Sequence, residues 1–139
     1  MTTHLVIPDA HCLPSISNER FIWLGKFVAE VQPDVLIDIG DWCDMESLCF
    51  YDKGKIQFEG RRYQKDVECA LDAKEKFENE IAKRGSYKPV KIAIMGNHEQ
   101  RIERVAEETP ELKGVLDVED LGYLKYGWKL IPYLTPYNI

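Results

Sequence analysis

Three short polar clusters stand directly after three short apolar runs, and their residue types are those that bind metals and transfer protons. The clusters run from Asp9 to His11, from Gly40 to Asp44, and from Gly96 to Glu99. Their donors are carboxylate, amide and imidazole groups without thiolate, a mixture that suits Mn, Fe or Zn rather than a soft copper site. The clusters therefore predict a metal site, with His98 as the histidine left for proton chemistry.

Spacing inside the clusters refines this prediction. Asp9 and His11 are two residues apart in a segment expected to be extended, so their side chains should point the same way. A glycine precedes the aspartate of the second cluster and another precedes the asparagine of the third, which lets the backbone turn sharply at both places. Asp44 is a candidate to orient His98 by a hydrogen bond.

The elements that must position these clusters are three strands separated by helices. The apolar runs Leu5 to Ile7, Val35 to Ile39 and Val90 to Met95 are rich in β-branched residues, as buried parallel strands are. Apolar residues recur at helical spacing between them. The first pattern is Phe21, Leu24, Phe27, Val28 and Val31, and the second is Val67, Ala70, Leu71, Phe77 and Ile81. This alternation predicts an α/β fold, a mostly parallel sheet with flanking helices, with the clusters together at its carboxyl edge.

The C-terminal third carries weaker patterns. Glu99 to Glu108 is predicted to be a helix that ends before a proline, and Val115 to Leu121 a short helical turn. Trp128 to Leu134 has the composition of a strand, but Pro132 lies within it. Because proline cannot donate to a strand ladder, this segment is predicted to be an edge strand or a bulged strand.

Two residues near the clusters have plain structural interpretations. Asp38, inside the second predicted strand, is expected to satisfy a nearby backbone or Ser/Thr group. Trp42, between the two aspartates of the second cluster, either walls a crevice or packs in the core.

Composition limits the class of protein. With 139 residues and a net charge of −6, the chain predicts one globular domain whose surface repels polyanions. No apolar run is long enough to cross a bilayer and no signal peptide is evident, so the expected location is cytoplasmic, without a membrane partner. The four cysteines lack C-x-x-C spacing, which favours free thiols. A basic group is either a solvated loop or a patch that steers an anionic substrate: Lys53, Lys55, Arg61, Arg62 and Lys65.

Taken in order, D-x-H, G-D-x-x-D and G-N-H-E, each after a strand, resemble the signature of the calcineurin-like metallophosphoesterases over residues 4 to about 105. The resemblance implies half of the αββα sandwich of that family, hydrolysis of phosphoesters, and two divalent transition metals (Mn, Fe, Zn or Ni) that polarise the phosphoryl group. A Rossmann-like nucleotide binder is disfavoured, because no G-x-G-x-x-G follows the first strand.

The resemblance also implies ligand roles. Carried over by position, Asp9 and His11 would bind the first metal, and Asp41 would bridge both metals. Asn97 would bind the second metal and contact the substrate phosphate.

Catalytic roles follow from the same match. His98 would protonate the leaving group or stabilise the transition state, with Asp44 hydrogen-bonded to it. Arg101 is a candidate to reach a phosphate. Its alternative is a solvated helix face or an ion pair with Glu103 or Glu107.

One departure from the family pattern limits these expectations. Histidine occurs only at positions 4, 11 and 98, whereas the family closes its site with a further histidine and a G-H-x-H motif. We therefore expect a single, truncated domain over residues 1–139 and an incomplete second metal site. One functional hypothesis is a metallophosphoesterase acting on a phosphorylated small molecule, a nucleotide or a nucleic-acid phosphoester, as a homo-oligomer or with a completing chain. The alternative is a non-catalytic half-domain remnant or interaction module that binds metal weakly.

Overall fold

A computed structural model describes all 139 residues, and its centre is a four-stranded, all-parallel sheet. The strands are β1 (His4–Ile7), β2 (Val35–Asp38), β3 (Val90–Ile94) and β4 (Lys129–Ile131). They lie side by side in sequence order. The helices are α1 (Glu19–Val31), α2 (Tyr63–Ala82) and α3 (Gln100–Glu108). The predicted α/β fold is confirmed.

Strand order explains how the core is divided. Right-handed crossovers that always step in the same direction leave all connecting helices on one face of the sheet. Accordingly, the large core cluster joins side chains from all three helices, such as Phe21, Phe77 and Ile102, to inward-facing strand residues. The opposite face carries a separate cluster made only of strand residues: Val35, Ile37, Ile92 and Ile131. Helices therefore cover one face of the sheet, and the hydrophobic cluster on the other face contains no residue from a helix.

The buried face of α1 differs from its apolar pattern. Phe27 and Val31 belong to the apolar pattern, but they are 53% and 52% exposed. Gly25 takes a buried position instead, because α1 crosses α2 so closely that a Cβ at Gly25 would lie 2.5 Å from the carbonyl oxygen of Phe77. The contact between α1 and α2 is therefore made at a glycine, which a pattern of apolar side chains does not include.

The buried face of α2 follows its pattern but includes one lysine. Lys74 is fully buried, and its Nζ lies 4.0, 3.5 and 5.2 Å from the ring centroids of Trp42, Tyr123 and Trp128. A cation over aromatic rings is attracted to their negative faces. Burial lowers the pKa of Lys74 to about 8, although the nearby Asp38 carboxylate opposes this shift.

The C-terminal third is also close to its prediction. Helix α3 ends at Glu108, before Pro110, and a short helical turn forms at Val118–Leu121. Strand β4 pairs in parallel with β3 at the sheet edge and ends at Ile131, immediately before Pro132. None of the helices combines the length and the apolar composition that spanning a bilayer requires.

The cysteines and the basic group have simple surroundings. All four cysteines are free, and each is buried or half-buried, as expected. Arg61 lies 3.1 Å from Glu46 and 2.7 Å from Asp52, and Lys55 lies 3.7 Å from Asp52. Because acidic neighbours neutralise part of the basic group, its contacts favour the solvated loop over a steering patch.

Candidate metal and catalytic site

The three polar clusters meet at the carboxyl edge of the sheet, as predicted. The first loop pairs with the second: the His11 N–H donates to the Asp41 carbonyl at 2.8 Å, and the Cys12 N–H donates to the Trp42 carbonyl at 2.8 Å. The second loop contacts the third, where the His98 N–H donates to Asp41 Oδ1 at 2.9 Å. Backbone N–H groups of the first and third loops therefore donate to the second loop, at Asp41 and at Trp42 beside it.

The backbone of the first two loops is left-handed at the candidate ligands. Asp9 has a φ of 39° and His11 a φ of 44°, so the segment is not extended and strand alternation does not set their directions. That part of the prediction was wrong. Asp41, at a φ of 55°, follows Gly40 at 100°. Because a non-glycine residue takes this conformation at a cost of about 1–2 kcal/mol, contacts within the site must hold the turn.

The two motif glycines allow the second and third loops to touch. A Cβ at Gly96 would lie 2.1 Å from Asp41 Oδ1 and 2.6 Å from the Asp41 nitrogen. A Cβ at Gly40 would lie 2.4 Å from the Gly96 nitrogen. Gly40 thus supplies the predicted sharp turn, whereas Gly96 supplies the space into which the Asp41 side chain fits.

Three side chains form a compact group of donors. Ligand atoms of His11, Asp41 and His98 all lie within 4.8 Å of one another. His11 Nε2 is 3.9 Å from Asp41 Oδ2, and the two imidazole rings meet edge to face with centroids 4.6 Å apart. Imidazole nitrogen with carboxylate oxygen is a donor set for divalent transition metals, so this group fits such an ion.

The predicted ligands are not all in this group. Asp9 is exposed and lies outside the group of three, and Asn97 is exposed on the third loop. Their ligand roles, and the contact of Asn97 with phosphate, stay predictions. His98, assigned to catalysis from the sequence, instead stands among the candidate ligands.

Asp44 holds one side of the His98 ring. Its Oδ1 is 2.9 Å, and its carbonyl oxygen 2.6 Å, from His98 Nδ1. Burial lowers the pKa of His98, but the two hydrogen bonds to Asp44 outweigh burial and place that pKa above its usual value. The same hydrogen bond from His98 lowers the pKa of the Asp44 carboxyl. With Nδ1 directed at Asp44, Nε2 is the nitrogen available to a metal or a substrate.

Arg101 joins the same arrangement. Its Nη1 donates to the Asp44 carbonyl at 2.9 Å and lies 3.7 Å from Asp44 Oδ1, while Nη2 is 3.4 Å from His98 Nε2. The alternative of a solvated face or an ion pair with Glu103 or Glu107 was therefore wrong. A guanidinium at this place adds positive charge beside the candidate site, and its role in binding phosphate stays a prediction.

The two structural interpretations near the site have clear outcomes. Asp38 accepts a hydrogen bond from the Gly40 N–H at 3.0 Å, as expected, and another from the Tyr123 hydroxyl at 3.3 Å. Burial raises the pKa of Asp38 to about 6, against the attraction of Lys74. Trp42 is fully buried and packs against neighbouring aromatic rings, so it belongs to the core.

Sequence reasoning gave no role to Glu99, the last residue of G-N-H-E. Its side chain is fully buried and accepts hydrogen bonds from the backbone N–H groups of Asp41, Trp42 and Gly96, each at 2.9 Å. The sequence did contain one indication that Glu99 has a role: its position directly before α3 and directly after His98, the candidate catalytic histidine. A charged residue there needs a buried partner or a functional reason.

Comparison with known proteins supports the interpretation of these loops. A family model described as calcineurin-like phosphoesterase matches residues 3–135, a range that includes all four strands and all three polar clusters. A search of curated proteins and a search of solved structures each returned no significant match. The family consists of phosphoester hydrolases that bind divalent metals. Since the match spans nearly the whole sequence, the chain belongs to the calcineurin-like phosphoesterase family.

Proposed function

We propose that this chain carries the metal-binding and proton-donating part of a dinuclear metallophosphoesterase. The observation that supports it best is the group of His11, Asp41 and His98, whose ligand atoms lie within 4.8 Å of one another at the carboxyl edge of the sheet. The proposed substrate is a phosphoester of a small molecule, a nucleotide or a nucleic acid.

The proposed metal ligands follow the family pattern. Asp9, His11 and Asp41 would hold one divalent ion, and Asp41 with Asn97 would contribute to a second, less complete site. The oxygen and imidazole donors suit Mn, Fe, Zn or Ni. Such ions supply Lewis acidity at the phosphoryl oxygens.

The proposed proton donor is His98. Asp44 fixes the ring through Nδ1, so Nε2 is the atom that delivers a proton to the leaving-group oxygen. Arg101, 3.4 Å from Nε2, places a positive charge where the phosphate would develop negative charge.

A second candidate function rests on the position of His98 inside the ligand group. If His98 binds the metal, its imidazole is not available as an acid, and the chain is a non-catalytic remnant or an interaction module with weak metal binding. Hydrolysis separates the two candidates, since the second predicts manganese binding without turnover.

The proposed partner is a second copy of this chain or a completing chain. Val6 and Val90, on the sheet face that carries the strand-only cluster, are 51% and 59% exposed. Exposed apolar surface of this kind favours association. We expect sedimentation equilibrium over a wide concentration range to show dimers or larger species, and a monomer throughout would contradict this.

Hydrolysis of bis-p-nitrophenyl phosphate tests the function. We expect weak turnover that depends on added Mn²⁺, stops with a chelator, and falls about 100-fold or more in His98→Ala, the usual scale for losing a general acid. His4→Ala is the matched control, because His4 is exposed at the start of β1 and should leave turnover unchanged. Equal rates for His98→Ala and the wild type would contradict the role of His98.

A further inference from the structure

One buried carboxylate connects the second and third loops of the site. Glu99 has no exposed surface, yet its Oε2 accepts from the N–H groups of Asp41 and Gly96, and its Oε1 accepts from the Trp42 N–H. All three distances are 2.9 Å. The Glu99 side chain therefore accepts hydrogen bonds from two consecutive N–H groups of the second loop and from the first N–H group of the third loop.

The turn that Glu99 binds is a strained one. Asp41 is left-handed, and its Oδ1 must also accept from the His98 N–H. Strained backbone persists only where surrounding contacts over-determine it. The Glu99 carboxylate therefore supplies the contacts that hold Asp41 in this conformation.

The buried charge of Glu99 has a counter-charge in the core. Lys74 is fully buried, its ammonium forms no hydrogen bond, and Glu99 is among the three carboxylates that attract it. A buried carboxylate without a compensating charge would be costly, and Lys74 supplies positive charge near Glu99.

We propose that Glu99 is a positioning residue: its carboxylate fixes the Asp41 turn so that the Asp41 carboxylate faces the metal site with the His98 ring held beside it. The role rests on the proposed function, since it concerns the same site. Glu99 itself does not reach the donor group, and its action passes through the backbone of Asp41, Trp42 and Gly96.

Glu99→Gln tests this role, because glutamine keeps the size of the side chain but has only one acceptor oxygen and no charge. We expect its affinity for Mn²⁺, measured by calorimetric titration, to fall about 10- to 100-fold, the usual loss when a residue supporting metal ligands is changed. Glu78→Gln is the matched control. Glu78 is also buried and also attracts Lys74, but it bonds Trp128 and Lys91, away from the loops.

Amide hydrogen exchange measures the positioning before any metal is added. In Glu99→Gln the amides of Asp41, Trp42 and Gly96 are expected to exchange roughly tenfold faster than in the wild type, because local opening becomes easier. In Glu78→Gln their rates should stay as in the wild type. General loss of stability would instead speed exchange similarly in both variants, and that result would overturn the proposal.

The remaining outcomes separate this inference from the proposed function. A wild type that binds Mn²⁺ while Glu99→Gln binds it equally well overturns the positioning role alone. A wild type that binds no Mn²⁺ overturns the proposed function and, with it, this role. If Glu99→Gln does not fold, Glu99→Asp replaces it, since aspartate keeps the charge but is one methylene too short to reach all three N–H groups. Wild-type affinity and exchange in Glu99→Asp would also overturn the proposal.

Discussion

Asp41→Asn is expected to reduce the affinity for Mn²⁺ by about 100-fold or more. Substitution of a residue that only supports a metal ligand lowers the affinity by up to about 100-fold, and Asp41 is itself a proposed ligand. Asp41 contributes the only carboxylate of the compact donor group, with Oδ2 3.9 Å from His11 Nε2. Asparagine can still accept from the His98 N–H through one oxygen, so the loop contact survives while the charge is lost. The binding constant should be measured by titration on protein whose thermal melt remains cooperative.

Asp34→Asn provides the control for this substitution. Asp34 precedes β2 and bonds Thr3 at the opposite, amino end of the sheet. Its replacement removes the same charge from the protein without touching the donor group. We expect the affinity for Mn²⁺ to change less than twofold, a bound appropriate to weak long-range electrostatics at physiological salt. Equal losses for both substitutions would mean that net charge, rather than a specific ligand, governs binding.

Gly96→Ala is expected to destabilise the fold by about 1–3 kcal/mol, the usual cost of overpacking, and to weaken Mn²⁺ binding as well. An added methyl group would stand 2.1 Å from Asp41 Oδ1, so either the Asp41 side chain or the third loop must move. Both movements separate the carboxylate from the His98 N–H that it accepts. Urea denaturation measures the first effect, and metal titration of the folded protein measures the second.

Gly25→Ala separates these two effects. A Cβ at Gly25 would lie 2.5 Å from the Phe77 carbonyl oxygen at the crossing of α1 and α2, remote from the loops of the site. The free energy of unfolding should fall as in Gly96→Ala, while the folded protein keeps the wild-type affinity for Mn²⁺. Normal metal affinity in Gly96→Ala would show that the close approach of the two loops serves stability alone.

Much of the fold could be predicted from the sequence, because the signals are local. Runs such as Val35 to Ile39 are short, β-branched and bounded by proline or glycine, and they became parallel strands near the expected limits. Convergence of the three clusters then followed from parallel pairing alone. Pro132 lacks the N–H that a ladder requires and so indicated an edge strand, and β4 does lie at the sheet edge, although it ends at Ile131 rather than at Leu134.

Other features depend on tertiary contacts that no local pattern contains. Lys74 occupies a core position of α2 because three aromatic rings from distant parts of the chain surround it. Gly25 is buried because of the helix that crosses it, and Phe27 is exposed because only one side of α1 meets that helix. Hydrophobic spacing cannot predict which of these residues is buried, because it does not show which element each side chain packs against.

The candidate site likewise has some features that the sequence predicted and others that it did not. The residue types at the strand ends were sufficient to nominate a metal centre, and the contact between Asp44 and His98 was expected. The left-handed turns at Asp9 and His11 were not expected, and the His11 N–H pairs with Asp41 of the distant second loop, which no local pattern indicates. Nor did the sequence give a role to Glu99, whose three backbone partners come together only in the folded chain.

Anomalous diffraction from crystals grown with Mn²⁺ tests the central claim most directly, because it locates the ion without reference to activity. The expected result is an anomalous peak at the carboxyl edge of the sheet, within bonding distance of His11 and Asp41, as ions held by imidazole and carboxylate require. The same map shows whether Asp9, Asn97 or His98 completes the coordination. A peak remote from both His11 and Asp41, or no peak at saturating Mn²⁺, would contradict a metal centre at this edge.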